Sequence, residues 1–173
     1  YDYVVLAEIE LPDGVPALVA TVHAPAVHAT KLLSTNLGKP DAISPEELEA
    51  IAQPGDVAWA LDIAFEAIRR TCHGHRFIVG GDLNTSRLFD SASKNGKITN
   101  ALFFSRAAHA GWHDCHGHLA EERSYLKPGT LPYQLDHLFC DQSTAKYLSR
   151  CWVDRGGGVE EMSDHAPLLA DFD

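Results

Sequence analysis

The run Arg76-Phe77-Ile78-Val79-Gly80-Gly81-Asp82-Leu83-Asn84 constrains this chain more than any other segment. Its first half is short, apolar and closed by glycine, which is how a buried β-strand reads. Directly after it, Asp82 and Asn84 stand two residues apart at an exposed strand end. The carboxylate can hold a divalent cation or take a proton from water, and the carboxamide can donate to a phosphoryl oxygen without adding negative charge. Alone, Gly-Asp-x-Asn also describes a common turn, because Asp and Asn hydrogen-bond their own backbone. What surrounds the motif therefore decides its meaning.

The opening twenty-five residues form two apolar, β-rich runs around Pro12-Asp13-Gly14, residue types suited to a tight reversal, and predict a hairpin. Residues 25–38 have no period and read as a loop leaving the second strand at His23. Ser44-Pro45-Glu46-Glu47 carries a capping serine, a proline at the first helical position and a glutamate three residues after the cap, predicting a short helix to about Gln53. After Pro54-Gly55, Asp56 can cap again, and Val57, Ala60, Leu61, Ala64, Phe65 and Ile68 recur at helical spacing up to Arg69-Arg70. A further helix is expected over 98–110, stopped by Gly111 and followed by a short strand at 112–114. Strands are expected over 134–141, 147–154 and 166–172, with 117–132 polar and irregular. The order β-β-α-β-α-β-β-β fits layered helix and sheet with mixed or antiparallel pairing.

At 173 residues the chain has the length of one domain, residues 1–173, and 45% apolar residues give it a core. A formal charge of −10 leaves no broad basic face for a long duplex, though a local patch or a bridging divalent cation can reverse the field. Cys72, Cys115, Cys140 and Cys151 form no CxxC pair and read as buried free thiols. His109, His113, Cys115, His116 and His118 match no zinc-finger spacing and have no second cluster, so they read as a polar loop. No apolar stretch is long enough for a transmembrane segment, and no signal peptide opens the chain. Tyr1 lies in the middle of what reads as a strand, which predicts a domain lacking its N-terminal strands. Compartment stays unknown, because any N-terminal targeting segment would be missing with them.

Three more motifs accompany Asp82 and Asn84. Ser163-Asp164-His165-Ala166-Pro167 sets an acid beside an imidazole just before the last apolar run; neighbours on a strand face opposite ways, so both serve one site only if the backbone turns there. In Gln134-Leu135-Asp136-His137-Leu138-Phe139 a single acid sits in an apolar strand and needs a partner, since burying an unpaired carboxylate is costly. His165 is a candidate partner, and a carboxylate fixes a histidine's tautomer. Otherwise Asp136 is an edge charge facing water. Thr21-Val22-His23-Ala24-Pro25 places an imidazole at a fourth strand end.

A strand ending in VHAP, then GDLN, QLDHLF and SDHAP in this order resembles the endonuclease/exonuclease/phosphatase superfamily, from Val19 to the last residues. The resemblance implies an α/β (α+β) fold, a four-layer sandwich of two packed mixed or antiparallel sheets flanked by helices. It also implies a phosphoric ester hydrolase, a nuclease or phosphatase, dependent on Mg2+ or Mn2+. On that resemblance the catalytic residues are His23, Asp82, Asn84, Asp136 and His165: His165 as base or phosphate stabiliser, Asp136 orienting it, His23 on a phosphate oxygen. Asp82, Asn84 and Asp164 would lie at the metal, and Arg123 and Tyr125 in a loop beside the substrate. The substrate would be a phosphodiester or phosphomonoester in a nucleic acid, phospholipid or small phosphate ester, with the net acidity favouring the latter two. One family motif is missing: a glutamate in a Leu-Gln-Glu setting that is a principal magnesium ligand has no counterpart upstream of Val19, and Glu8 and Glu10 lie in the wrong context. The alternative is thus a catalytically incomplete fragment or an inactive member serving as a binding or scaffold module.

Overall fold

A computed structural model describes residues 4–11, 13–24, 74–91, 99–117, 120–130 and 132–173. The helices expected over 45–53 and 56–70 and the loop expected over 25–38 lie outside these residues, as does Cys72. The expected hairpin is present: β1 (Val4–Glu10) pairs antiparallel with β2 (Pro16–His23), from Val4 opposite Val22 to Glu10 opposite Pro16. Its turn closes with Gly14 N–H donating to Leu11 O at 2.8 Å, and Gly14 supplies a φ of +75°.

β2 then runs parallel to β3 (Arg76–Asp82), which pairs antiparallel with β5 (Asp136–Asp141), and β5 pairs with β4 (Trp112–Asp114). The resulting mixed sheet has the order β1-β2-β3-β5-β4, while β6 (Leu148–Val153) and β7 (Leu168–Phe172) form a separate antiparallel pair. β3 lies at the centre, which accounts for its unbroken apolar run: both of its faces are covered.

Each face has its own core. Leu18, Ala20 and Val22 of β2, Phe77 and Val79 of β3, and Phe139 of β5 pack under Phe103, Phe104 and Ala107. Those last three residues come from the helix at Thr99–His109, within one residue of the span expected. On the opposite face, Ile78, Leu138 and Cys140 meet Leu148, Cys151, Leu168, Ala170 and Phe172, so the small sheet packs on the large one through an apolar layer. Helix, large sheet and small sheet are three stacked layers. Cys115, Cys140 and Cys151 are free and buried, as expected.

Three one-turn helices escaped the sequence reading: α1 (Leu88–Ser91), α3 (Gln142–Ala145) and α4 (Val159–Met162), with α2 the helix at Thr99–His109. Four residues carry no readable period. α3 forms because Asp141, the last residue of β5, caps it by accepting from Ser143 N and Thr144 N. No described helix is long and apolar enough to cross a membrane.

Gly81 lies opposite Val22 in the β2–β3 ladder. Its φ is +140°, and a Cβ there would overlap the carbonyl oxygen of Val22. Gly81→Ala is expected to lower the unfolding free energy by about 3 kcal/mol, combining backbone strain and overpacking. Urea denaturation with an unchanged slope and an unmoved midpoint would contradict this.

Candidate functional site

Strand register gathers the expected residues. His23 is the residue opposite Asp82 in the β2–β3 ladder, and Asp82 is opposite Asp136 in the β3–β5 ladder. Three chemically capable side chains thus stand in one row across three adjacent strands. Alternation places Asp82 on the face of Ile78 and Asp136 on the face of Leu138, the side on which the small sheet packs.

The row continues into the segment before β7. His165 Nδ1 lies 2.8 Å from Asp136 Oδ2, so the acid that opens the apolar run of β5 has the imidazole partner that its burial demands. With its side chain 16% exposed and bonded to His165, Asp136 is not an edge charge facing water. The backbone turn needed before His165 also exists: Ser163 Oγ accepts from His165 N at 3.0 Å. His165 itself forms an isolated bridge with Tyr125. Asp82, Asp136 and His165 each offer a ligand atom, and these atoms lie within 4.8 Å of one another.

The other expected residues surround this cluster. Asn84 has a left-handed backbone, φ +49°, which Asn tolerates better than most residues. Its N–H donates to Asp82 Oδ1 at 2.9 Å, and its Nδ2 donates to Ala24 O at 2.8 Å and to Asp82 Oδ2 at 3.2 Å. Both amide hydrogens are therefore taken, which leaves the carbonyl Oδ1, an acceptor suited to a cation, where the sequence suggested a donor to phosphate. His23 Nε2 lies 3.6 Å from Asp82 Oδ2 with its side chain 68% exposed. Asp164 is exposed and outside the three-residue cluster, its carbonyl accepting from Leu126 N at 2.7 Å. The Tyr125 ring packs on His165 with centroids 5.1 Å apart. Arg123 is turned onto its own loop, donating to the carbonyls of Tyr125, Leu126 and Lys127 at 2.9, 3.0 and 3.0 Å. It shapes the loop that holds Tyr125.

His137 supports the site and was not singled out by its sequence. It is buried beneath the row, and its Nε2 lies 2.9 Å from Thr85 O and 3.0 Å from Gln134 O. Burial keeps it neutral by holding its pKa below the ordinary range. Its one ring proton then tethers the loop after Asn84 to the start of β5. An alternating apolar strand gave no sign that this histidine points inward.

The cluster is electrostatically tense. Burial raises the Asp82 pKa, the Asn84 N–H bond opposes that, and the Asp136 charge raises it further. For His165, burial alone would lower the pKa, but the hydrogen bond and charge of Asp136, with Asp82 and Asp164 nearby, raise it overall. Two carboxylates and one imidazole, with ligand atoms within 4.8 Å of one another, are a group that could hold a metal ion.

No protein-family profile matches the chain, and no curated protein matches it. Solved structures do. An AP endonuclease from Archaeoglobus fulgidus superposes with a TM-score of 0.63 at 16% identity, covering 97% of this chain and 65% of its own. A 3'-5' exonuclease from Neisseria meningitidis gives 0.58 at 18% identity, covering 98% and 70%. A mannosyl-6-phosphatase from Bacteroides thetaiotaomicron gives 0.54 at 16% identity, covering 98% and 56%. The chain thus spans under two thirds of the Archaeoglobus protein's length. These structures cover 97–98% of the chain, whose fold is therefore the deoxyribonuclease-I-like fold that they share.

Proposed function

We propose that this chain carries the phosphate-handling part of a metal-dependent phosphoesterase site, acting on a phosphodiester or phosphomonoester by in-line attack of water. The observation that supports it most is the row His23, Asp82 and Asp136, closed by His165 at 2.8 Å from Asp136. Asp82 and Asn84, with Asp164 at the rim, would hold Mg2+ or Mn2+. Such a cation supplies positive charge against the phosphoryl oxygens when bound.

The chain's own residues divide the remaining work. His165 donates Nδ1–H to Asp136, which fixes its tautomer and leaves Nε2 with a lone pair to take a proton from water. Asp136 then stabilises the imidazolium that forms. His23, exposed at its strand end, can donate to a phosphate oxygen. Tyr125 restrains the His165 ring from the side. The formal charge of −10 favours small or lipid phosphoesters over long duplexes as substrate.

One observation favours a second reading. The sequence contains no Leu-Gln-Glu glutamate, so the chain could bind phosphate or cation without turning substrate over. Hydrolysis of bis(p-nitrophenyl) phosphate, p-nitrophenyl phosphate and supercoiled plasmid with Mg2+ or Mn2+ separates the two. The enzyme reading expects release that EDTA and Asp82→Ala both abolish. Activity indifferent to Asp82→Ala would overturn the site, while Mn2+ broadening of the His165 ring protons without turnover would favour the binding module.

A further inference from the structure

Asp136 and His165 are useful to each other only if two segments distant in sequence are held in fixed relation, and one buried hydroxyl connects them. Ser124 is fully buried. Its Oγ accepts from two successive backbone amides, Leu135 N at 2.9 Å and Asp136 N at 3.1 Å. Its carbonyl accepts from Ala166 N at 2.8 Å, and its own N–H donates to Tyr133 O at 3.1 Å. On either side of that link, Tyr125 bridges His165 and Leu126 N donates to Asp164 O at 2.7 Å. Residues 124–126 thus lie antiparallel to 164–166, while the Ser124 side chain reaches the backbone amide of the residue that opens β5.

We propose that Ser124 is a positioning residue that sets the Asp136–His165 hydrogen bond; the inference rests on the phosphoesterase reading of that pair. Asp136 lies at the first position of β5, where the ladder to β3 is just beginning; its carbonyl accepts from Gln134 Nε2 at 3.2 Å, and its amide is held by the Ser124 hydroxyl. Two adjacent amides turned toward one oxygen fix the peptide plane before Asp136 and with it the direction in which the carboxylate leaves the chain. A hydroxyl with two lone pairs can accept both. Because the same residue's carbonyl holds Ala166, a shift at Ser124 moves the acid and the imidazole relative to one another.

Ser124→Ala, Ser124→Cys and Ser124→Thr test this in the whole chain, by thermal melting, by the hydrogen-bonded Nδ1–H proton resonance of His165, and by turnover of bis(p-nitrophenyl) phosphate. Ser124→Ala and Ser124→Cys, the latter close in size but a poor acceptor, are expected to melt cooperatively, to lose the Nδ1–H resonance to solvent exchange, and to lose turnover at least tenfold with KM nearly unchanged. Ser124→Thr is expected to restore both readouts. Wild-type resonance and turnover in Ser124→Ala and Ser124→Cys would overturn the proposal, and failure of both to fold would reassign Ser124 to the fold and overturn it equally. The resonance requires no catalysis, so a wild-type chain without turnover whose resonance still follows the series would sink the phosphoesterase reading and leave the positioning role standing.

Discussion

Asp82→Asn is expected to lower turnover of bis(p-nitrophenyl) phosphate by about 10²–10⁴-fold while raising the melting temperature of the chain in cation-free buffer at pH 7. Activity should fall because Asp82 is the carboxylate at the centre of the row, with His23 on one side and Asp136 on the other. Stability should rise because burial and the neighbouring Asp136 charge hold the Asp82 pKa above its ordinary value of 3.8. Between those two values the folded chain binds more protons than the unfolded one, so stability declines as pH rises through that window. At pH 7 the ionised Asp82 therefore counts against folding, and a neutral side chain of the same shape removes that burden. The carboxamide that replaces it would still present an oxygen to the Asn84 N–H, keeping that bond, while its nitrogen takes the place of the Oδ2 that accepts the longer bond from Asn84 Nδ2. The gain in melting temperature should shrink as pH falls toward 3.8, where more than half of wild-type Asp82 is itself neutral in the fold. Calorimetry from pH 4 to 8 measures this, and a variant that melts below wild type at pH 7 would contradict it.

The opposition between activity and stability at Asp82 is also why part of this site was legible in the sequence and part was not. A carboxylate in a run such as Phe77-Ile78-Val79-Gly80-Gly81-Asp82 is conspicuous because local rules do not favour it there. The same holds for Asp136 between Leu135 and His137, where the need for a partner pointed to His165 across twenty-nine residues. Strands and the long helix were legible because periodicity and Gly or Pro punctuation are local signals, and Gly111 stops α2 close to where its sequence predicts. Direction was not legible. Nothing local says that His137 points inward to Thr85 O, that both Asn84 amide hydrogens are taken, or that the Arg123 guanidinium folds onto its own loop's carbonyls. For His137 and Asn84 the partner is a carbonyl brought close by tertiary packing, Thr85 O and Ala24 O, while Arg123 reaches carbonyls two to four residues on in a loop whose path no periodicity sets. The one-turn helix after Asp141 was missed because a capping acid at a strand end looks like the end of the strand and nothing more.

For Asp136→Asn two changes of opposite kind are expected in the pH dependence. His165 sits above its ordinary value of 6.5 chiefly because the Asp136 hydrogen bond and charge overcome the effect of burial. In the variant the charge is gone, so the imidazole should titrate lower, and NMR titration of the His165 ring in EDTA should move in that direction. The base form of His165 would then be available at lower pH, carrying the acid limb of the rate profile with it. The plateau should nonetheless fall by about 10²–10⁴-fold, because a carboxamide does not enforce the Nδ1–H tautomer and gives no charge to the imidazolium. Stability follows the same pair with a definite sign. A histidine whose folded pKa is raised contributes stability that is complete below its unfolded value and is lost as pH rises through the folded value. Asp136→Asn should therefore destabilise the chain most below pH 6.5 and progressively less above it. Substitution of Asp82 differs in sign but not in trend, its gain over wild type growing as pH rises from 3.8. Two carboxylates opposite each other on neighbouring strands should thus yield stability-difference profiles of opposite sign, both rising with pH but over different windows, when each is neutralised. A merely structural pair of surface acids would give two flat ones, since exposed charges on that scale contribute little and are screened by salt.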